Sequence, residues 1–406
     1  MVVPNTMWRL HNTIQRYAWG SHEAIAQLQG RPTPTDEPEA ELWMGAHARA
    51  PSRLGDADER SLLEAIDAEP EAMLGAQGVE RFGPRLPFLL KVLAAAQPLS
   101  LQAHPDDQRA REGFAREDAA GIDRGARHRN YRDPYAKPEL VCAMGPFVAL
   151  CGFRAVEDTQ ALIETLGVPA LRERAEPLWR ESAGDGVAAL VRDLLTMPEP
   201  RPLVDAVVKA AASGTDERWA LERSWTVRLG DRYPGDPGIV VALLLNLIEL
   251  SKGEALFLSA GQLHCYLEGT AVEIMGGSDN VLRGGLTPKH VDVPELLDTL
   301  DRSTGPVPVV RPRDVSEHEA VWDTPSPAFM LSRVTMGARA SVELVGRGPE
   351  VLLCTDGEMR VQGGEHELSI GSGDSVFVPG SRSSYVLGSG KGGTVFRASP
   401  GASSGD

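Results

Sequence analysis

A chain of 406 residues is longer than one hydrophobic core serves, because single cores stop growing near ~250–300 residues, so two or three domains are expected. A net charge of −16 excludes general nucleic-acid binding, which runs on clustered lysine and arginine, and any anionic ligand must be gathered by a local basic pocket. Cys142, Cys151, Cys265 and Cys354 are scattered without a CxxC pair, which argues against a disulfide framework and for a reducing, cytoplasmic setting.

The N-terminal MVVPNTMWRLHNTIQ has no basic segment leading into an apolar core, so no secretion signal is expected. Up to about Phe153, short apolar runs alternate with turns. A helix is expected over Ser61–Leu74, with Ser61 as cap and Glu64 closing a capping box. The run Pro87–Ala96 leads into LSLQAHP, and KPELVCAM reads as another strand. From Ala155 to about Arg232, Ala, Leu, Glu and Arg recur at helical spacing, predicting four or five helices. Ile239–Leu250 reads as a buried helix, too short for a bilayer, which takes ~20 residues. Strands resume in ALFLSAG, LHCYLEG and TAVEIM. From about Val321 short strands punctuated by glycine predict a β-sandwich or jelly roll, and SPGASSGD reads as a disordered tail. GEALFLSAGQLH and GDSVFVPGSRSS share one plan, which points to two related β-barrels.

Alternate side chains of a strand share a face. By that rule Ser100, Gln102 and His104 lie together, as do Lys137 with Glu139 and His264 with Tyr266. Two imidazoles suit zinc or another first-row divalent ion, and one carboxylate plus one amide oxygen leave the ion residual charge for polarising an oxygen. Spacing alone leaves two alternatives, a metal site or histidines packed in a core. In GGSDNVLRGGLTPKH, Gly276, Gly277, Gly284 and Gly285 frame Arg283 and Lys289 in a mobile or tightly turned loop. It is either a phosphate-binding loop or an ordinary exposed one.

At these residues the chain resembles the type I phosphomannose isomerases, zinc enzymes of the cupin superfamily. The similarity runs through IQRYAWG, AELWMGAH, LKVLAAAQPLSLQAHPD, DPYAKPEL, PGDPGIVVALLLNLIELSKGEALFLSAGQLHCYLEG and AVEIMGGSDNVLRGGLTPKHVDVPELL. It is dense over residues 8–153 and 233–300 and thin elsewhere. It implies a mainly β fold of two cupin-like jelly-roll barrels plus an all-α insertion. The implied domains are a catalytic one from 1–153 and 233–318, a helical one at 154–232, a C-terminal one without metal at 319–400, and a tail at 401–406.

The resemblance also implies interconversion of mannose 6-phosphate and fructose 6-phosphate through a cis-enediol, on one Zn2+ per chain. The zinc ligands fall on Gln102, His104, Glu139 and His264, and the active-site arginine on Arg283. Further pocket positions fall on Trp19, Ser100, Lys137, Tyr266, Glu273, Asp279 and Lys289. Lys137 is expected to hold an oxygen or tune the field, and Ser100 and Lys289 to contact phosphate. Glu273, Asp279, Tyr266, Lys137 and a metal-bound water all stay open as the base. Trp8, His11, Trp43 and His47 lie near the pocket rim or, for the tryptophans above all, in the core. Asp107 stands where relatives carry Lys, Ser259 where proline is common, and Cys265 where a small residue is usual; none removes a ligand. The chain is expected to be a monomer acting on a small sugar phosphate, without protein, membrane or nucleic-acid partners. The competing readings are an isomerase of another aldose, either unphosphorylated or a different phosphate ester, a non-catalytic metal-binding cupin, and a metal-dependent dioxygenase, against which the Gln–His–Glu–His set argues.

Overall fold

The computed structural model describes residues 6–55 and 58–402; the end of the expected tail, 403–406, lies outside them. Among the described residues two large antiparallel sheets carry the architecture, with helices packed beside the first. The first sheet has nine strands, and its path runs Leu282–Gly285, Leu101–Ala103, His264–Gly276, Phe88–Ala95, Glu41–Met44, Thr13–Gln15. Glu139–Phe153 pairs with His264–Gly276 and with two further strands, Leu245–Leu250 and Ala255–Leu258.

The second sheet has eleven strands. Most come from residues 313–399, but Trp8–His11 and Arg53–Leu54 belong to it as well. Trp8 lies opposite Phe377, whereas Thr13, just past Asn12, lies opposite Trp43 in the first sheet. The chain therefore changes sheets at Asn12, whose amide donates to Ser375 Oγ at 2.7 Å and accepts from Ser52 Oγ at 2.8 Å.

Between Val156 and Arg232 six α-helices follow one another, more than the four or five expected, because Pro169 and Pro177 each restart a helix after a short break. Leu162, Ile163, Leu190, Val191, Val207 and Leu229 bury their faces in one cluster with Leu150 and Phe153 of the first sheet and Leu263 just before its strand His264–Gly276. The expected capping box is present: Ser61 Oγ accepts from Glu64 N at 3.1 Å, and the Glu64 carboxylate accepts from Ser61 N at 2.7 Å. The helix it starts ends at Ala68 and a second spans Pro70–Leu74, since proline has no N–H to continue the ladder.

The expected buried helix over Ile239–Leu250 is corrected. Only Gly238–Ala242 is helical, and Leu245–Leu250 is a strand alongside Glu139–Phe153. A short apolar run lacks the periodicity that separates these states. Asn246 marks the switch, its amide bonding the carbonyls of Cys151, Gly152 and Gly305. LHCYLEG and TAVEIM are likewise one strand, His264–Gly276, bent by register shifts on either side of Glu268 and Gly269. Gly269 (φ 130°) is required there, because a Cβ would stand 2.7 Å from the Pro146 carbonyl. No helix among the described residues is long and apolar enough to cross a membrane.

Candidate metal centre

The bend in His264–Gly276 turns its two ends toward each other. His264 lies opposite Gln102, while Met275, near the far end, lies opposite Glu139. Tyr266 and Glu273, seven positions apart on that strand, touch: the phenol donates to Glu273 at 2.9 Å and approaches Glu139 at 3.4 Å. His104, one residue beyond Leu101–Ala103, completes the group. His104, Glu139 and His264 are 1%, 2% and 1% exposed, and their ligand-type atoms lie within 4.8 Å of one another.

Each imidazole is oriented from behind. His104 Nδ1 lies 2.7 Å from the Asn280 carbonyl and His264 Nδ1 2.9 Å from the Gln262 carbonyl. An N–H must stand at Nδ1 in both, which leaves the Nε2 lone pairs pointing forward. Both Nε2 atoms are buried without a hydrogen-bond partner, each 3.4 Å from a Glu139 oxygen. Burial, and then the Lys137 charge, push His104 down to about 4, so it is neutral at pH 7 and the short approach is no ion pair. Burial alone would raise Glu139, but the Lys137 ammonium, at 2.9 Å, holds its carboxyl well below the usual range. Two lone pairs facing a carboxylate repel unless a cation stands between them, and this donor set fits a divalent metal. Gln102 lines the same cleft as Glu139, on the strand beside His264.

The cleft encloses about 590 Å³ and is lined by Trp19, Ser100, Gln102, Lys137, Glu139, Tyr266, Glu273, Asp279, Arg283 and Lys289. Arg283 is opposite Gln102, half-buried, and makes no ion pair among the described residues. Partial enclosure, then the charges of Arg283, Arg132 and Arg49, push the Lys289 ammonium down from its ordinary value. Cations converge at this end with too few acids to balance them. The glycine-framed loop is tightly held. Leu282–Gly285 is a strand, Asn280 bonds the Asp133 and Tyr135 carbonyls, and Gly285 (φ 120°) packs on the Gly238 backbone.

Several cleft residues were not singled out from sequence. Lys91, inside the apolar strand FLLKVLAA, donates to Glu273 at 3.0 Å and to Glu41 at 3.5 Å; these carboxylates outweigh the burial that would otherwise lower its ammonium and keep it charged. A lone lysine amid apolar neighbours is its only trace in the sequence. Lys91→Met would bury two carboxylates without their counter-charge and is expected to destabilise the fold by about 3–5 kcal/mol, measurable by urea unfolding. Trp43 lines the cleft and bonds Glu41, His47 packs against it, and Trp8 packs on Phe377 in the second sheet, away from the rim. His11 is exposed there too. Cys265 faces away from the ligands, its thiol bonding the Leu99 carbonyl. Asp107 accepts from Ala136 N and so ties its helix to the segment bearing Lys137.

Asp279 sits between His47 and Arg49, each 3.4 Å away. Burial would raise it, but the His47 hydrogen bond and nearby cations bring it down to about 2. A depressed carboxylate stabilises above its unfolded pKa of about 4 and loses that contribution as pH falls toward 2. Asp279→Asn is therefore expected to cost about 2 kcal/mol at pH 7, a deficit that shrinks below about pH 4 and closes near pH 2 when unfolding midpoints are compared across pH.

Residues 7–156 match the family model for phosphomannose isomerase type I, catalytic domain. The mannose-6-phosphate isomerase of Escherichia coli (strain K12) is 37% identical over 388 residues, covering 94% of this chain and 97% of the relative. That of Salmonella typhimurium is 39% identical over 394 residues, covering 95% and 98%. A crystal structure of zinc-bound mannose 6-phosphate isomerase superposes with a TM-score of 0.88 at 38% identity, over 98% of this chain and 100% of that one. A crystal structure of a phosphomannose isomerase variant from Salmonella typhimurium gives a TM-score of 0.88 at 37% identity. Likeness of this order along nearly the whole length shows that the chain belongs to the type I phosphomannose isomerase family.

Proposed function

We propose that the protein is a zinc-dependent aldose–ketose isomerase that interconverts mannose 6-phosphate and fructose 6-phosphate. The observation that carries this is the pair of orphaned Nε2 atoms aimed at Glu139 beside an unbalanced cluster of cations. Gln102, His104, Glu139 and His264 would hold the zinc, which supplies Lewis acidity toward the C1 and C2 oxygens. Arg283 points its charge where the enediol oxygens become negative. Lys289 and Ser100, with Arg132 nearby, would receive the phosphate. Burial pushes the Glu273 carboxyl up, and Tyr266 and Lys91 hold it in place, which makes it our choice for carrying the proton between C2 and C1. Lys137 would steady Glu139, and Trp19 and Asp279 would shape the cleft.

In finer detail, we read the two sheets as cupin-like jelly rolls, with 154–232 an inserted all-α domain and 319–400 a C-terminal domain. The protein would act as a cytoplasmic monomer. The test is a coupled assay with mannose 6-phosphate and with mannose, before and after chelation and zinc return. Activity on the phosphate ester alone, lost on chelation and restored by zinc, is expected. Turnover indifferent to chelation would refute the reading.

A further inference from the structure

The string PGDPG, residues 234–238, follows the last of the six helices, Ala220–Arg232, and leads toward the strand Leu245–Leu250. It carries one carboxylate, Asp236, and both of its oxygens are occupied by backbone amides. Oδ1 accepts from Gly238 N at 2.7 Å, and Oδ2 accepts from Thr287 N at 3.1 Å. The second bond reaches across the chain to the turn that follows Leu282–Gly285. The two turns meet too closely for a side chain, since a Cβ on Gly238 would stand 2.6 Å from Leu286 N. Asp236 N donates to the Tyr233 carbonyl at 3.0 Å, and the Tyr233 phenol donates to the Pro98 carbonyl at 2.7 Å, just ahead of Ser100.

Leu286 is what this bracket holds. Its φ of 55° places a bulky residue in the left-handed region, where the Cβ crowds the backbone. The side chain is buried in the cluster that contains Ile239, Val240 and Leu296. Strain of this kind persists only where the surroundings over-determine it, and it gathers at ligand clamps. Here the constraints are the anchored leucine side chain, the Gly238 contact and the Asp236 bond to the next amide. Relaxation of Leu286 to an ordinary helical φ would rotate the chain by roughly 120° at that point and carry Thr287, Pro288 and Lys289 off their course.

The two cations of this segment are placed by different means. Arg283 stands within the ladder, opposite Gln102, so strand pairing fixes it. Lys289 lies beyond the end of that strand, and its own N–H donates to Thr287 Oγ at 3.1 Å. Thr287, Pro288 and Lys289 all line the cleft. The place of the Lys289 ammonium therefore follows from the turn, and the turn from the carboxylate that bonds its backbone.

We infer that Asp236 is a positioning residue for the phosphate end of the cleft: its carboxylate holds the left-handed turn at Leu286 and so keeps Lys289 in the cleft. The inference rests on the phosphate role given to Lys289 above. The test is steady-state kinetics with mannose 6-phosphate on the full zinc-loaded chain, comparing wild type, Asp236→Asn, Lys289→Ala and the double variant. Asparagine keeps one oxygen but turns an NH2 toward the other amide, so at most one of the two bonds survives. Asp236→Asn is expected to raise KM about ten-fold, the size of one charge-assisted contact, with kcat within about two-fold of wild type and zinc content unchanged. Lys289→Ala should raise KM by a similar factor. In that background Asp236→Asn should add less than about two-fold, because both changes remove the same contact. A carboxylate that only supported the fold would raise KM equally in both backgrounds, and that additivity would overturn the inference. Should Asp236→Asn fold poorly, Thr287→Ala, at a half-buried position, cuts the same strap at the Lys289 N–H, and an unchanged KM there overturns the inference as well. Wild-type KM in Lys289→Ala would refute the phosphate role itself. A raised KM there, beside a wild-type one in Asp236→Asn, overturns this inference alone.

Discussion

Arg283→Ala is expected to lower kcat for mannose 6-phosphate about 10²–10³-fold while zinc content stays at the wild-type level. Arg283 stands on Leu282–Gly285 opposite Gln102, next to the candidate metal ligands His104, Glu139 and His264 without being among them. Burial, then Arg132, pulls its guanidinium down from the ordinary value, yet no carboxylate among the described residues pairs with it. In the role proposed for it, its charge meets a negative charge that appears only during the reaction, so its removal should fall on kcat more than on KM. Arg283→Lys should recover a small part, because one ammonium cannot reproduce the planar fork. Steady-state kinetics with metal analysis of the same samples decides this. Near-wild-type turnover in the alanine variant would sink the assigned role.

A larger loss is expected from His264→Ala. It removes one of three tightly grouped donors and also frees the Gln262 carbonyl that fixed the ring. Changing an outer-shell partner alone costs about 10–100-fold in metal affinity, so loss of a ligand should exceed about 10²-fold. Zinc would then be absent after dialysis, activity would fall below detection in the coupled assay, and added zinc would no longer raise the melting temperature. A variant that kept its zinc and its stabilisation would show that His264 is only a packed core residue.

Much of this centre was legible in the sequence because its parts lie in short strings with period-two spacing. Gln102 with His104, Lys137 with Glu139, and His264 with Tyr266 each sit beside the residues that strand alternation predicts. The capping box of Ser61 and Glu64 was legible for the same local reason. What stayed hidden depends on register between distant strands. Lys91 has meaning only once Glu41 and Glu273 are known to flank it, and no spacing within FLLKVLAA shows that. Arg132 and Arg49 join the cationic end from loops whose own composition is unremarkable. The misread stretch Ile239–Leu250 failed differently: its strand half is set by pairing with Glu139–Phe153, a tertiary choice that local pattern cannot make.

The crossing at Asn12 bears on how such a chain is made. Trp8–His11 leaves the ribosome long before its ladder partner, Ser375–Val378. The first sheet can pair its own strands while synthesis continues, but this pairing in the second waits until residues 375–378 have emerged. Trp8–His11 is thus a stitch left loose and drawn tight only once those distant strands have been made. A chain cut short of its last strands would expose Trp8 and Leu10 without cover, marking the incomplete product for chaperones and proteases.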